Sequence, residues 1–457
     1  METIASNGIL KTRILPVKTA DLGCFTDPKG LDTWELHGDE GSLAPLREAA
    51  QHLQTCSIPV GFPTETVYGL GADATRSEAV RGIYKAKGRP SDNPLIVHVC
   101  DLTMLRSLLS PSTDADPIPE IYKPLIKKFW PGPLTILLPN PKPSRLAPEV
   151  TAGLPSFGAR MPESPLALSL IYLSGVPLAA PSANTSTRPS PTSAEHVLHD
   201  LDGRIMIVLD GGPCQVGVES TVVDGLCDPP VVLRPGGVSI DDLRECDGWE
   251  RVVKGYKDQS EVGAATPRAP GMKYKHYSPR AKVVLFEASY LQGTNPVDVC
   301  SSILSAVPKT ATSKDDQIFK VGIVRTQNWH DWAGFDLAKS AASITSHSVQ
   351  PQVAILNSQS IQSEHSFKMM QGELWQGAAM PNGHLVNGEC QPRQIADLVE
   401  ISLGTDPKSI AHGLFSALRE LDRQGIDIIY IEGIEDEGDV AAAVMNRLRK
   451  AATIIEK

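Results

Sequence analysis

Three basic residues crowd the end of a predicted helix and the loop that follows it. Lys85, Lys87 and Arg89 lie close together, and prolines stiffen the backbone beyond them. Cations at a helix C-terminus complement the helix dipole, which would explain one or two lysines without a ligand. That explanation does not reach Arg89, which lies past the helix in a loop shared with Asn93. Because arginine grips phosphate oxygens with paired hydrogen bonds, we favour a phosphate site here.

A second polar segment follows a predicted buried strand, Ile58–Phe62, where α/β folds place ligand loops. The segment 63–71 carries Thr66 among several hydroxyl groups that could hold a small polar substrate. A turn with threonine for strand propensity and glycine for tight geometry explains the same residues. The glycines of this segment do not continue into G-x-G-x-x-G, because position 74 is alanine, so a dinucleotide site is disfavoured.

Further candidates recur near the ends of predicted strands, and each has a plain structural alternative. Arg160 could clamp a carboxylate or lie on the surface, and His98 could bind a ligand or pack in the core. Ser182 and Asn184 could contact phosphate, although a Ser/Asn turn is the simpler reading of that segment alone. The remaining members of the set are Ser156, Glu219, Ser220 and Arg234.

Several common catalytic signatures are missing from the sequence. It has no G-x-x-x-x-G-K-[ST], H-E-x-x-H or G-x-S-x-G motif and no metal-ligand spacing. If the chain handles ATP, it does so without a P-loop, and we expect no metal site built from protein ligands.

The bulk composition places the chain among ordinary globular proteins. Its 457 residues suggest two domains, and the net charge of −10 argues against a general nucleic-acid coat. Eight scattered cysteines without C-x-x-C fit a reduced, cytoplasmic protein. No apolar run approaches the ~20 residues of a membrane span, and no signal-peptide core is seen at the start.

Strand and helix patterns alternate along the chain and predict an α/β fold in two parts. Helices are expected at 118–129, 164–174, 193–200 and 409–424. A further helix, the final one of the chain, is expected to begin after Asp439 as its N-cap. The predicted organisation is an N-terminal extension (1–40), a first domain (41–250), a linker (251–280) and a smaller α/β domain (281–457) with a mobile insertion near 357–395.

Taken in order, these segments resemble the threonylcarbamoyl-AMP synthases, the YrdC-like family. The resemblance covers roughly residues 40–240, and the linker segment 269–279 and Asn446-Arg447-Leu448 are similar to the longer, two-domain branch. It implies a twisted open sheet with helices, followed by a smaller Rossmann-like domain. The implied activity is that of a nucleotidyltransferase. L-threonine, bicarbonate and ATP give threonylcarbamoyl-AMP and pyrophosphate, and the product feeds threonylcarbamoyladenosine modification of tRNA.

The resemblance also implies a role for each candidate residue. Lys87 and Arg89 would act in catalysis by holding phosphates and offsetting charge. ATP would be bound by Arg89, Asn93, Ser156, Ser182, Asn184, Ser190 and Arg234, with His276 and Tyr277 folding over the site as a lid. Threonine would be held by Thr66, His98, Arg160, Ala180 and Ser220. Mg²⁺ would be carried on the triphosphate of ATP.

Two alternatives stay open at this level. The basic residues could serve an RNA-binding module of translation, or the chain could be a carbamoyl transferase acting on carbamoyl phosphate. The implied partners are the tRNA threonylcarbamoyl transferase complex downstream and, weakly, RNA itself, with no membrane. A cytoplasmic location is expected, and sharing with mitochondria is left open.

Overall fold

The computed structural model describes residues 10–110, 115–256, 276–289, 297–308, 318–338, 353–362, 367–377, 393–438 and 440–456. It divides into two compact units. Unit 1 comprises the described parts of Met1–Tyr277 and of Glu437–Lys450, and unit 2 those of Ser278–Asp436 and Ala451–Lys457. Both units are α/β, as the sequence predicted. Among the described residues, no helix has the length and apolar character needed to cross a membrane.

Unit 1 is built on a mixed sheet of eleven strands, in the order β1-β10-β4-β5-β9-β6-β8-β7-β11-β12-β13. The strands are β1 (Arg13–Pro16), β4 (Val60–Phe62), β5 (Gly69–Asp73), β6 (Ile96–His98), β7 (Leu134–Pro139), β8 (Ser156–Arg160), β9 (Leu178–Ala179), β10 (Ile207–Asp210), β11 (Thr221–Asp224), β12 (Val231–Arg234) and β13 (Val253–Lys254), with β2 (Gly23–Phe25) and β3 (Trp34–Leu36) forming a separate hairpin.

Several helices of unit 1 pack against this sheet. The helices of the unit are α1 (Glu40–Thr55), α2 (Ser77–Lys87), α3 (Leu102–Leu109), α4 (Lys123–Phe129), α5 (Pro148–Thr151), α6 (Pro165–Ser174), α7 (Ala194–Leu201) and α8 (Ile240–Arg244). In α2 the buried residues Ala79, Val80 and Ile83 share one face, and Gly88 ends the helix with φ 61°. This left-handed backbone favours glycine, and it directs the chain into the loop that carries Arg89.

Strand pairing brings separate sequence motifs together. Strands β6 and β8 run parallel with His98 opposite Arg160. Strands β11 and β12 run antiparallel with Val222 opposite Arg234, and Gly69 forms an isolated bridge with Ser182. Residues far apart in sequence therefore meet on one part of the sheet.

Unit 2 is a smaller α/β unit on a seven-stranded sheet, in the order β16-β17-β18-β15-β19-β14-β20. Its strands are β14 (Lys282–Phe286), β15 (Lys320–Arg325), β16 (Val353–Ile361), β17 (Lys368–Gln376), β18 (Arg393–Ser402), β19 (Ile428–Glu432) and β20 (Ile454–Glu456). Its helices are α9 (Val297–Ala306) and α10 (Pro407–Arg423), and α11 (Ala441–Ala451) follows β19.

The predicted boundaries need three corrections. The extension 1–40 is not separate, because β1 adds to the main sheet beside β10. The insertion near 357–395 contains strand residues of β16, β17 and β18, and only 363–366 and 378–392 lie outside the described residues. The second half of β16 is exposed and polar, so it lacks the alternation of apolar and polar residues from which a strand is predicted. The third correction concerns the end of the chain. Residues 437–450 were predicted to belong to the second domain (281–457), but they group with unit 1.

The predicted helices agree in position, with local differences. The helix expected at 118–129 is a short 3-10 turn (Glu120–Tyr122) followed by α4, and the other three lie within a few residues of their predicted bounds. The proposed N-cap Asp439 and most of the linker, 257–275, lie outside the described residues.

Candidate active site

A polar cavity in unit 1 collects residues from almost every motif that the sequence singled out. Its volume is about 70 Å³. The lining residues are Thr64, Thr66, Val67, Gly69, Lys87, Arg89, Ile96, His98, Arg160, Ala180, Pro181, Ser182, Asn184, Ser186, Thr187, Arg188, Ser190, Glu219, Ser220, Arg234, His276 and Tyr277.

All but two of the predicted site residues line this cavity. Asn93 is buried and Ser156 is half-buried at the start of β8, and neither is part of the lining. Glu219 was noted in the sequence without a role, yet it lines the cavity as the one carboxylate among the described lining residues. In the sequence, only its position next to the candidate Ser220 indicated that Glu219 could belong to the site. A buried glutamate cannot be distinguished from a surface glutamate by its type alone.

Lys87 projects from the last turn of α2 and is 3% exposed. Its ammonium group donates hydrogen bonds to the backbone carbonyls of Ser182 and Asn184 and lies 3.4 Å from the Asn184 side-chain oxygen. The lysine therefore fixes the predicted Ser182–Asn184 turn against α2. A surface lysine that only complements the helix dipole would not be buried in this way.

Arg89 lies just beyond the helix and is half-buried. Its guanidinium donates to the carbonyl of Pro94 over 3.1 Å, and its Nε has no partner. Burial lowers the pKa of Arg89 to about 10, so the side chain stays cationic at neutral pH. An unpartnered donor on a cation at the cavity is suited to an anionic ligand.

Arg160 and His98 form the threonine side of the predicted site. The Arg160 guanidinium pairs with Glu65 at 2.7 Å and donates to the Gly132 carbonyl over 3.2 Å. Burial, followed by the charge of Arg160, lowers the pKa of His98 to about 3. His98 is therefore neutral at physiological pH, and its Nδ1 has no partner. A neutral imidazole beside a fixed guanidinium can bind a zwitterionic amino acid without adding charge.

Two hydroxyl clusters complete this side of the cavity. Thr64 Oγ1 lies 2.8 Å from Thr66 Oγ1 and donates to the carbonyl of Val67. Ser220 Oγ lies 2.8 Å from Thr135 Oγ1. Both clusters are buried, so their hydroxyls hold fixed positions from which they can contact a ligand.

Arg234 reaches the cavity from the end of β12. Its Nε and Nη2 donate to the Ser220 carbonyl over 3.1 and 3.0 Å, and Nη2 also reaches Ser220 Oγ at 3.1 Å. Burial lowers the pKa of Arg234. The contacts orient this arginine through the backbone next to Glu219, so its charge is directed into the cavity.

Two residues of the predicted lid, His276 and Tyr277, lie within the described residues and line the cavity, while 269–275 lie outside them. Burial lowers the pKa of His276 to about 3, and burial raises the pKa of Tyr277 to about 12. Both side chains are uncharged at neutral pH. Their ring centroids are 5.6 Å apart.

Comparisons with known proteins find similar domains and similar full-length chains. Residues 58–236 match a family model described as "Telomere recombination", and residues 238–453 match the "Threonylcarbamoyl-AMP synthase, C-terminal domain" model. The chain is 43% identical to the threonylcarbamoyl-AMP synthase of Schizosaccharomyces pombe, over 90% of this chain and 88% of the relative. It is 40% identical to that of Bacillus subtilis, over 92% of this chain and 95% of the relative.

A solved structure extends the similarity to the fold. The crystal structure of Pyrococcus abyssi Sua5 complexed with L-threonine is 33% identical, with a TM-score of 0.67, over 98% of this chain and 99% of that one. The family resemblance predicted from the motifs is therefore confirmed. The chain belongs to the threonylcarbamoyl-AMP synthase family.

Proposed function

We propose that the cavity of unit 1 condenses L-threonine, bicarbonate and ATP into threonylcarbamoyl-AMP, pyrophosphate and water. The observation that carries this proposal is the set of cations around one small cavity: Lys87, Arg89, Arg160 and Arg234. The reaction brings a carbamate anion to the α-phosphate of ATP. Two anions approach each other, so catalysis depends on fixed geometry and on charge neutralisation.

The threonine end of the site is assigned to the side of the cavity where Arg160 lies beside His98. The Glu65 carboxylate holds Arg160 in place, and we propose that the substrate carboxylate shares the same guanidinium. Neutral His98 and the hydroxyls of Thr66 and Ser220 would hold the amine and side-chain hydroxyl. The Ala180 position on the wall would limit the size of the substrate side chain. This arrangement suits a small polar amino acid.

The phosphate end is assigned to Lys87, Arg89 and Arg234, with the hydroxyl of Ser190 and the Ser182–Asn184 turn beside them. Because Lys87 is bound to that turn, a phosphate arriving there would meet a cation that is already oriented. Asn93 and Ser156 do not line the cavity as it stands, and their contacts with ATP stay a prediction.

The cavity is too small for ATP with His276 and Tyr277 in place. Its volume of about 70 Å³ is well below the roughly 300–1,000 Å³ of sites that bury a ligand of this size. We therefore propose that these two residues withdraw to admit ATP and return over the reactants. Return would exclude water from an adenylate that hydrolyses readily.

Mg²⁺ would enter on the triphosphate of ATP. Among the described residues, no group of His, Cys, Asp and Glu side chains is arranged to hold a metal ion. Glu219 is the one carboxylate among the described lining residues, and hydrogen bonds already engage both of its oxygens. Phosphate oxygens and water would therefore supply the ligands, and the metal would offset phosphate charge.

The cations of this site are poorly placed to bind RNA. Lys87, Arg160 and Arg234 are each no more than 6% exposed, so they are not available to an RNA backbone. We propose that the product is instead passed on to a tRNA threonylcarbamoyl transferase complex in the cytoplasm. Salt dependence separates the two roles, because RNA binding weakens steeply with added salt.

Pyrophosphate release tests the proposed function. The purified chain is given ATP and Mg²⁺, and threonine and bicarbonate are omitted in turn. We expect release to require both, with serine replacing threonine poorly. Release that continues unchanged without threonine would show that the cavity hydrolyses ATP for another purpose.

A further inference from the structure

A fully buried arginine outside the cavity makes contacts with the groups that form it. Arg447 lies on α11, in the segment Glu437–Lys450 that belongs to unit 1, and it is 0% exposed. It does not line the cavity. Burying a guanidinium is costly unless its charge and its hydrogen bonds are compensated, so the contacts of Arg447 require a reason.

Apart from a 3.5 Å contact with its neighbour Asn446, those contacts lead to the cavity wall. The Arg447 Nε donates to Glu219 over 3.0 Å, and Nη1 donates to the carbonyl of Pro235. The guanidinium carbon also lies 5.7 Å from the centroid of the Tyr277 ring, within range of a cation–π contact. Each partner is a site residue or precedes or follows one. Glu219 precedes Ser220, Pro235 follows Arg234, and Tyr277 itself lines the cavity.

Glu219 is the centre of this network. Its other oxygen accepts a hydrogen bond of 2.6 Å from Ser190, and its carboxylate is hydrogen-bonded to the Tyr277 hydroxyl. Burial alone would raise the pKa of Glu219, but the charges of Arg447 and Arg234 outweigh burial and hold this pKa at about 2. Glu219 is therefore an anion at neutral pH.

We propose that Arg447 is a positioning residue that holds Glu219 and Tyr277 in the arrangement that the reaction requires. It acts through Glu219 on Ser190 and through the ring contact on Tyr277. Withdrawal of Tyr277, which ATP needs, requires breaking contacts to an arginine of the last helix. The proposal rests on the proposed function only for its kinetic readout, and its placement of Tyr277 can be tested without catalysis.

The first test measures how well Tyr277 is protected. Tetranitromethane is applied to the wild-type chain, to Arg447→Met and to the control Arg449→Met, and nitration is quantified by mass spectrometry. Tyr277 is 5% exposed and Tyr172 is 41% exposed, so Tyr172 serves as the internal reference. Arg449 lies on the same helix and is only partly buried.

We expect the ratio of Tyr277 to Tyr172 nitration to rise about tenfold in Arg447→Met, as expected for loss of about 1.4 kcal/mol of local stability. Arg449→Met should leave the ratio unchanged. An unchanged ratio in a folded Arg447→Met chain overturns the proposal, whatever happens to activity.

The second test separates positioning from simple stabilisation. In Arg447→Met we expect kcat to fall about tenfold or more, a barrier change of about 1.4 kcal/mol, and the acid limb of the pH–rate profile to move to higher pH. The pKa of Glu219 should rise once its main cationic partner is gone, so Glu219 becomes protonated at a higher pH. Arg447→Lys keeps the charge and should restore much of the acid limb.

A double variant completes the design. If Arg447 acts through Glu219, the losses in Glu219→Gln and Arg447→Met should not add in the combined variant. Additive losses with an unmoved acid limb would mean that Arg447 only stabilises the fold. If Arg447→Met does not fold, Arg447→Lys replaces it in the nitration test. A smaller rise in Tyr277 nitration is then expected, and wild-type nitration would count against the proposal. Failure of the wild-type chain to release pyrophosphate would refute the proposed function and leave the nitration result standing.

Discussion

The cations at the cavity are held by the protein before any substrate arrives. Lys87 is held by two carbonyls, Arg160 by Glu65, and Arg234 by the backbone at Ser220. Such fixed charges need little reorganisation when negative charge accumulates, which is the usual origin of electrostatic catalysis. Preorganisation at single residues is therefore the physical basis of the proposed mechanism.

Replacing Lys87 by methionine should remove most of the activity. We expect kcat/KM to fall about 100-fold or more, because a buried cation facing the phosphates is lost. We also expect the free energy of unfolding to fall by about 1–3 kcal/mol, since the carbonyls of Ser182 and Asn184 lose their donor. Steady-state kinetics and urea denaturation measure the two effects. Lys85→Met, in the same helical turn but exposed, is the control and should behave as wild type. Equal, small effects of both substitutions would support the helix-dipole explanation.

The neutral state of His98 gives a signature in the pH dependence of stability. The pKa is lowered from 6.5 to about 3 in the folded chain, so the unfolded chain binds more protons between these values. The contribution of His98 to the free energy of unfolding should be fully present above pH 6.5. It should fall by about 1.4 kcal/mol per pH unit as the pH drops toward 3.

Urea denaturation at several pH values between 5 and 7 measures this slope. We expect His98→Asn to have a shallower slope than wild type, while His37→Asn, at an exposed position, keeps the wild-type slope. The same slope in all three chains would mean that His98 is protonated in the folded protein.

At the residue level, sequence motifs predicted most of the lining but not how its members are linked. Thr66, Lys87 and Arg160 were recognisable because each belongs to a distinctive segment. The roles of Asn93 and Ser156 came from the resemblance alone, and neither residue belongs to the cavity lining. The contact of Glu219 with Arg447 joins residues 228 positions apart. No local pattern can indicate such a pair.

At the level of elements, strand register brings the motifs together. The pairing of β6 with β8 sets His98 opposite Arg160, and the pairing of β11 with β12 sets Arg234 next to the Glu219–Thr221 segment. The Gly236 position shows how closely these elements approach. A Cβ atom there would lie 2.1 Å from the Thr221 nitrogen and 2.4 Å from the Glu219 carbonyl oxygen.

Gly236→Ala should therefore displace the loop that carries Arg234. Real atoms do not approach backbone this closely, so the loop must move, and we expect kcat/KM for ATP to fall about tenfold or more. Gly175→Ala is the matched control. That residue has φ 65° with nothing near its Cβ, so it should lose about 1 kcal/mol of stability and keep its activity. Wild-type kinetics in Gly236→Ala would mean that this close approach does not position Arg234.

The limits of sequence reading are also clear at this level. The sequence located α6 and α7 within a residue or two. Helix α6 is apolar on nearly all sides, and α7 has one apolar face. The sequence predicted only the start of β16, Val353–Leu356, and missed β17, because polar residues interrupt the period of two in both strands. Antiparallel strands with a solvated face depend on their neighbours for stability, and a single sequence does not show those neighbours.

For the molecule as a whole, the catalytic unit is not a continuous piece of the chain. Residues near the C-terminus belong with the first 277 residues, and Arg447 binds the segment around the cavity. The sequence predicted a first domain followed by a linker and a second domain. The predicted order describes where the sequence motifs lie. It nevertheless separates the last helix from the first unit, to which the structure assigns residues 437–450.

The central claim is that this cavity joins threonine, bicarbonate and AMP. The most direct measurement is mass spectrometry of the nucleotide products formed from ATP, L-threonine and bicarbonate labelled with heavy carbon. We predict an adenylate that contains threonine and whose mass increases with the labelled bicarbonate, and its absence from Lys87→Met. Release of AMP without any threonine-containing adenylate, or an adenylate without the label, would contradict the account.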